Sequence, residues 1–168
     1  MNKGIKVYSA IGVIIILFGF LIAITPFERI LYNEEFTPLE TYPMYYYANF
    51  TVARSDTNAK LSLDVNVDYG GNYTSCTTLW ILYQLQLEEF EENFNLSQAR
   101  DTMTRDDWDV DDLDAFWAGW YIGFYPTPWR PVSPGSYVFV FWIELDGSTT
   151  GWSATLTVSL RTSLLPLM

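Results

Sequence analysis

Strict alternation of apolar and polar residues dominates the middle and end of the chain. Leu61, Leu63, Val65, Val67 and Tyr69 alternate with Ser62, Asp64, Asn66 and Asp68, as in a strand with one buried face. Gly70-Gly71-Asn72 closes this run with a turn signal. The same period returns at Leu79, Ile81, Tyr83, Leu85 and Leu87, although Trp80 and Leu82 make the second face partly apolar. The run AFWAGWYIGFY, residues 115–125, is aromatic on both faces, as a covered strand would be. Tyr137, Phe139, Phe141, Ile143 and Leu145 alternate again. After Asp146-Gly147, a last strand sets Trp152, Ala154, Leu156, Val158 and Leu160 against Ser153, Thr155, Thr157, Ser159 and Arg161. Five or six such strands, with no long amphipathic helix between them, predict a mainly β fold, an antiparallel sandwich.

The N-terminal segment follows neither period. From Val7 to Ile24 it reads VYSAIGVIIILFGFLIAI, with no charge. As a helix it would span roughly 27 Å, close to the hydrocarbon thickness of a bilayer. No small-x-small cleavage site follows: the exit reads Ile22-Ala23-Ile24-Thr25-Pro26-Phe27. The segment is therefore expected to be an uncleaved transmembrane signal-anchor. Lys3 and Lys6 precede it, and Glu28, Glu34 and Glu35 follow. The positive-inside bias then places the N-terminus in the cytoplasm and the remainder outside, in a single-pass arrangement at the cell membrane. Three parts result: residues 1–26 as cytoplasmic start and anchor, 27–43 as a juxtamembrane stalk broken by Pro38 and Pro43, and 44–168 as an extracytoplasmic β-sandwich. Tyr45 onward is expected to open the first strand of the domain. Ser9, Gly12, Gly19 and Ala23 fall with Ile16 on one face of the helix, where small residues would let a partner helix approach. Three glycosylation acceptors, at Asn49, Asn72 and Asn95, agree with an external domain.

Composition narrows the function classes. Of 168 residues, 49% are hydrophobic and 18% aromatic, enough for a substantial core and rich in strand formers. The net charge of -11 argues against nucleic acid as a partner. No histidine is present, which removes the commonest general base and the commonest transition-metal ligand together. The single cysteine, Cys76, cannot form a disulfide within the chain and reads as a small core side chain.

Two features could carry chemistry. In TRDDWDVDDLDAFW, Asp107, Asp109 and Asp111 stand at alternate positions, the spacing with which calcium loops present carboxylate ligands. The sixth position holds Asp112 where an EF-hand needs glycine, and the twelfth holds Ala118 where it needs a glutamate. An EF-hand is excluded, and a less regular calcium site using Asp112 or Asp114 stays open beside a plain solvated acidic loop. Glu88, Glu89, Glu91 and Glu92 form a second acidic patch, whose convergence with the first would strengthen a cation site. The second feature is Trp129, held between prolines in PTPWRP as a candidate exposed ring for stacking on a sugar. Catalysis lacks its parts: there is no Ser/His or Cys/His arrangement and no phosphate-binding glycine loop. The chain is not expected to be an enzyme.

Pro134-Gly135-Ser136-Tyr137, leading into a long strand and a hairpin to the terminus, resembles the last two strands of immunoglobulin-like cell-surface modules. The disulfide and tryptophan signature of true immunoglobulin domains is absent, and a fold-level likeness implies no particular function. Lys3-Gly4-Ile5 before an apolar helix is similar to the signal segment of type IV pilins and archaellins. That likeness implies cleavage after the glycine and a helix that assembles into a filament core. Lys6 and the absence of an early glutamate depart from the pattern. The reading that results is an anchored extracytoplasmic module with a binding, adhesive, envelope-structural or complex-accessory role. Its partners would be the membrane, other membrane or envelope proteins, or a second copy. A filament subunit and a calcium-dependent glycan-binding module are the alternatives.

Overall fold

In the computed structural model, the backbone is described for residues 3–37, 45–68, 76–122, 125–145 and 153–165, and side chains for 11–37, 45–68, 78–119, 127–143 and 153–165. Helix α1 (Lys3–Ile24) comes first. It stops ahead of Pro26, where the Thr25 N–H and hydroxyl both donate to the Leu21 carbonyl, at 3.0 and 2.7 Å. Among the described residues nine strands follow: β1 (Phe27–Phe36), β2 (Tyr45–Val52), β3 (Lys60–Asp68), β4 (Cys76–Tyr83), β5 (Trp117–Ile122), β6 (Tyr125–Pro126), β7 (Arg130–Pro131), β8 (Gly135–Leu145) and β9 (Ser153–Thr162). Between β4 and β5 lie helices α2 (Leu87–Asn93) and α3 (Leu96–Met103) and a 3-10 turn, Val110–Leu113.

The pairings are nested. β1 pairs with β9, β2 with β8, β3 with β6 and β7, and β4 with β5, all antiparallel. The chain thus doubles back on itself as one long ribbon. Successive pairs fall alternately into two sheets, and β3–β9 and β4–β8 contacts complete them. One sheet runs β1-β9-β3-β6 with β7 also on β3, and the other β2-β8-β4-β5. This is the strand order of a jelly roll, a sandwich made by rolling an antiparallel ribbon.

The sandwich expectation holds, and the expected closing hairpin does not. β8 and β9 lie in different sheets, so the likeness to the end of an immunoglobulin-like module stops at the sequence pattern. The reason lies in the side chains. Tyr137 to Trp142 on β8 are buried without a break, so this strand needs cover on both faces. β9 buries Ala154, Leu156, Val158 and Leu160 and leaves the intervening residues half-exposed, which suits a sheet with one wet face.

Two cores result. Between the sheets lie Leu61, Leu63, Val65, Trp80, Leu82, Trp117, Tyr137, Phe139, Phe141, Leu156 and Leu160, with others. On the far side of the β8/β4 sheet, Leu79, Ile81, Tyr83, Val138, Val140 and Trp142 pack under Phe90 of α2, Ala99 and Met103 of α3, and Leu113. Each aliphatic or aromatic side chain so buried contributes about 1.5–3 kcal/mol. The expected strand through Leu85 and Leu87 ends at Tyr83. Leu87, Phe90 and Phe94, then Leu96, Ala99 and Met103, repeat at three- and four-residue spacing and make a short amphipathic helical layer instead.

The segment expected to be a stalk is a strand over Phe27–Phe36. It pairs with β9 from Phe27↔Thr162 to Phe36↔Ala154, with an irregularity between Ile30 and Tyr32. Leu31, Tyr32 and Phe36 rest on the main core, which is why this edge is held rather than free. Residues 38–43 lie outside the described residues. The side chains of α1 are described from Ile11 onward, and among the described residues no helix is long and apolar enough to cross a membrane.

Candidate functional site

The helical layer does not close completely over the sheet. Between α2, α3, the 3-10 turn and the end of β4 is a cleft of about 380 Å³. Its apolar wall comes from Tyr83, Leu85, Phe90, Phe94 and Leu113. Phe90 and Phe94, one helical turn apart, stack at 4.7 Å between ring centroids, and Tyr83 lies 6.0 and 6.2 Å from them. Asn93, Asn95, Gln98 and Thr102 supply neutral polar groups, and Glu89, Asp112 and Asp114 supply carboxylates. Among the described residues no basic side chain lines the cleft.

The acidic stretch is shaped by local hydrogen bonds. At the start of the 3-10 turn the Asp109 N–H donates to the Asp112 carboxylate at 3.2 Å, and the Asp112 N–H donates to the Asp109 backbone carbonyl at 3.1 Å. Asp112 also accepts from Arg105 at 2.6 Å. Asp114 ends the turn with a left-handed backbone, φ 49° and ψ 41°, a conformation that aspartate and asparagine tolerate better than most residues. Asp107 is 90% exposed and sits 3.9 Å from Arg105, while Asp111 is exposed. Among the described residues, no three acidic or cysteine side chains are grouped so as to hold a metal ion.

The two acidic patches do meet at one place. Glu89 of α2 and Asp112 and Asp114 of the turn line the same cleft. Tyr83 faces them from β4. It is 8% exposed, and its hydroxyl makes no hydrogen bond among the described residues. Burial first, and then the charge of Asp114, push its phenol up to about 12.

Trp129 is not an open platform. It is half-buried, and the Arg161 guanidinium lies over its ring at 4.2 Å. Arg161 in turn donates from Nε to Glu28 at 2.8 Å. Asn49 is exposed on β2, and Asn95 is exposed at the start of α3, where its side chain accepts from the Gln98 N–H at 3.1 Å. Asn72 lies outside the described residues, as does the side chain of Ser9. A Cβ built on Gly12 or Gly19 would meet nothing within 4 Å among the described residues. The Ala23 carbonyl accepts from the Leu165 N–H at 3.1 Å, which ties the end of α1 to the segment after β9.

Sequence reasoning missed the cleft because it missed the helices. The signal was present in LEEFEENFNLSQARDTM, whose apolar residues leave the two-residue period of β4 for a helical one. The chain matches no protein-family model and no curated protein. What it does must therefore be argued from its own geometry.

Proposed function

We propose that this protein is a membrane-anchored, extracytoplasmic β-sandwich module that binds a ligand or partner and does not catalyse. The observation that carries the reading is the state of α1. From Ile11 to Ile22 its large apolar side chains are between 47% and 71% exposed, on every side of the helix. An all-round apolar helix requires an apolar environment that the rest of the chain does not supply. The uncharged sequence from Val7 to Ile24 fits a bilayer, and Lys3 and Lys6 orient its start toward the cytoplasm.

The base of the sandwich supports the same reading. Phe27 and Ile30 on β1 and Leu164 and Leu165 after β9 are exposed beside the end of α1, where Leu165 is bonded to Ala23. Apolar and aromatic side chains at this level suit the headgroup region, so the domain would rest on the membrane surface with no spacer. The cleft between the helices and the sheet lies in the other layer of the sandwich and supplies a binding surface. Nothing in it provides a nucleophile with a placed base, and the chain has no histidine.

The test is extraction and protection. The full chain should stay with membranes in alkaline carbonate, and its β domain should be digested by protease added to intact cells. Removing residues 1–26 should release it. Recovery of the full chain in the carbonate supernatant would sink the anchor.

A further inference from the structure

We infer that the cleft between β4, α2, α3 and the 3-10 turn takes an organic cation, an ammonium or guanidinium carried on an apolar stem. The inference rests on the reading of the domain as a binding module, and names the chemistry its cleft would select.

Charge sets the first requirement. Glu89, Asp112 and Asp114 line the cleft, and among the described residues no lysine or arginine does. Arg105 already pairs with Asp112, whereas Glu89 and Asp114 have no ion-pair partner among the described residues. Two carboxylates facing a partly apolar cleft favour a positive ligand, because attraction strengthens as water is displaced. The net charge of -11 draws cations toward the same surface.

Tyr83 sets the second. It is an almost fully buried side chain lining the cleft, and its hydroxyl is unpartnered within the described residues. The hydroxyl is not one of the side-chain atoms sealed from solvent without a partner, so it opens on the cleft and is free to bond an occupant there. Like any tyrosine it is protonated at neutral pH, so its oxygen can accept an N–H while its proton turns toward a carboxylate.

The apolar wall sets the third. Phe90 and Phe94 stack on each other and present a continuous surface with Leu85 and Leu113. Such a wall suits methylene groups or a ring, and an adjacent cation gains from the aromatic faces. A bare metal ion would leave this wall unused, and no three ligands are grouped for one among the described residues. The volume of about 380 Å³ is near the lower end for ligand sites, which suits one stem and not an extended chain.

Two sources share this chemistry, a free amine and a basic side chain of a partner. The test uses the full chain in phosphatidylcholine nanodiscs, with empty nanodiscs subtracted. Saturation-transfer NMR measures the affinity of phenethylammonium, of the capped dipeptide acetyl-Phe-Arg-amide, and of its neutral citrulline counterpart. The expected result is that a cationic probe binds, and that the citrulline peptide binds about tenfold more weakly or worse, the loss of a charge-assisted contact. Asp114→Asn and Glu89→Gln should each weaken the cation about tenfold, with melting temperatures matched to the parent. Tyr83→Phe should weaken it less. Tighter binding of phenethylammonium assigns a free amine, and tighter binding of the peptide assigns a partner's side chain; both support the inference. Equal binding of the arginine and citrulline peptides would leave a binding cleft and overturn its selection of cations. If neither cationic probe binds at millimolar concentration, the cleft is not a binding site at all, and the anchor reading stands on its own test.

Discussion

Gly119 on β5 lies directly across from Trp80 on β4, and the indole occupies the space a side chain would need. A Cβ at position 119 would fall 2.7 Å from Cζ2 of Trp80. Trp80 is itself wedged against Trp117, edge-on at 4.9 Å, and against Phe139, stacked at 5.9 Å. With the ring fixed from three sides, the glycine has no freedom to be replaced. Gly119→Ala is expected to cost roughly 1–3 kcal/mol, as overpacking of a filled core does, and to lower the thermal midpoint by several degrees. Gly119→Val should cost more. A melt of Gly119→Ala that overlays the parent would mean that Trp80 can move aside.

Arg161 joins three parts of the outer sheet region. It bonds Glu28 on β1, sits on β9, and covers Trp129 just before β7. Arg161→Ala should destabilise by about 1 kcal/mol, since the groups are partly exposed. Arg161→Lys should lose nearly as much, because a lysine lacks the flat fork that both stacks and bonds. Full retention of stability in the lysine variant would show that charge alone matters there.

Asp112 is the hub of the acidic turn, through Arg105 and the Asp109 N–H. Asp112→Ala should cost about 0.5–1 kcal/mol, the value of an exposed ion pair with one local hydrogen bond. Asp107→Asn and Asp111→Asn should leave the midpoint unchanged or slightly raised, since each removes a like charge from a crowded surface. Added calcium should not change the melt. A rise of several degrees with calcium, abolished in an Asp107/Asp109/Asp111→Asn variant, would restore the cation-loop reading.

Asn95 serves α3 as its N-cap and stands at the cleft. Asn95→Ala should cost about 1 kcal/mol, whereas Asn95→Asp should keep the cap and the stability. Equal melts for the two variants would show that the hydrogen bond to Gln98 contributes nothing measurable.

Several tyrosines make stability fall in alkali. Tyr83 is pushed up to about 12 by burial and Asp114, and Tyr137 and Tyr47 are raised as well, by burial and by the hydrogen bond to Glu91 respectively. Each holds its proton longer folded than unfolded. The folded state therefore binds more protons above pH 10, and stability declines as pH rises from there through about 12 for Tyr83. In urea melts across that range, Tyr83→Phe should lose stability less steeply with pH than the parent. Parallel curves would remove Tyr83 as a source of the alkaline loss.

The strands on which one face alternates cleanly were legible residue by residue. Leu61 to Val67 on β3 and Ala154 to Leu160 on β9 are buried as their period requires. An N-terminal helix over the apolar run and the start of β2 at Tyr45 were also legible from the pattern. The cover over Trp129 was not legible, because flanking prolines say that a loop is stiff and nothing about what lies on it. The cation that does so, Arg161, is far away in sequence. The site was legible only as two separate acidic patches. Their meeting needs α2 to fold back over Val138 and Val140, and that follows from the apolar second face of β8.

The sequence by itself determined the class of structure: an apolar N-terminal helix, then strands whose period-two burial yields an antiparallel sandwich, with acidic residues kept off the apolar faces. Those are local properties, set by which side chains can leave water within a few residues of one another. Tertiary structure decided how the strands nest, that Phe27–Phe36 is an edge strand and not a stalk, and that Glu89 and Asp114 share one cleft. Alternation fixes which face of a strand is buried but not which strand lies beside it. That choice belongs to the whole set of faces, because a strand apolar on both sides, such as β8, can be satisfied only by a sheet within and a helical layer without.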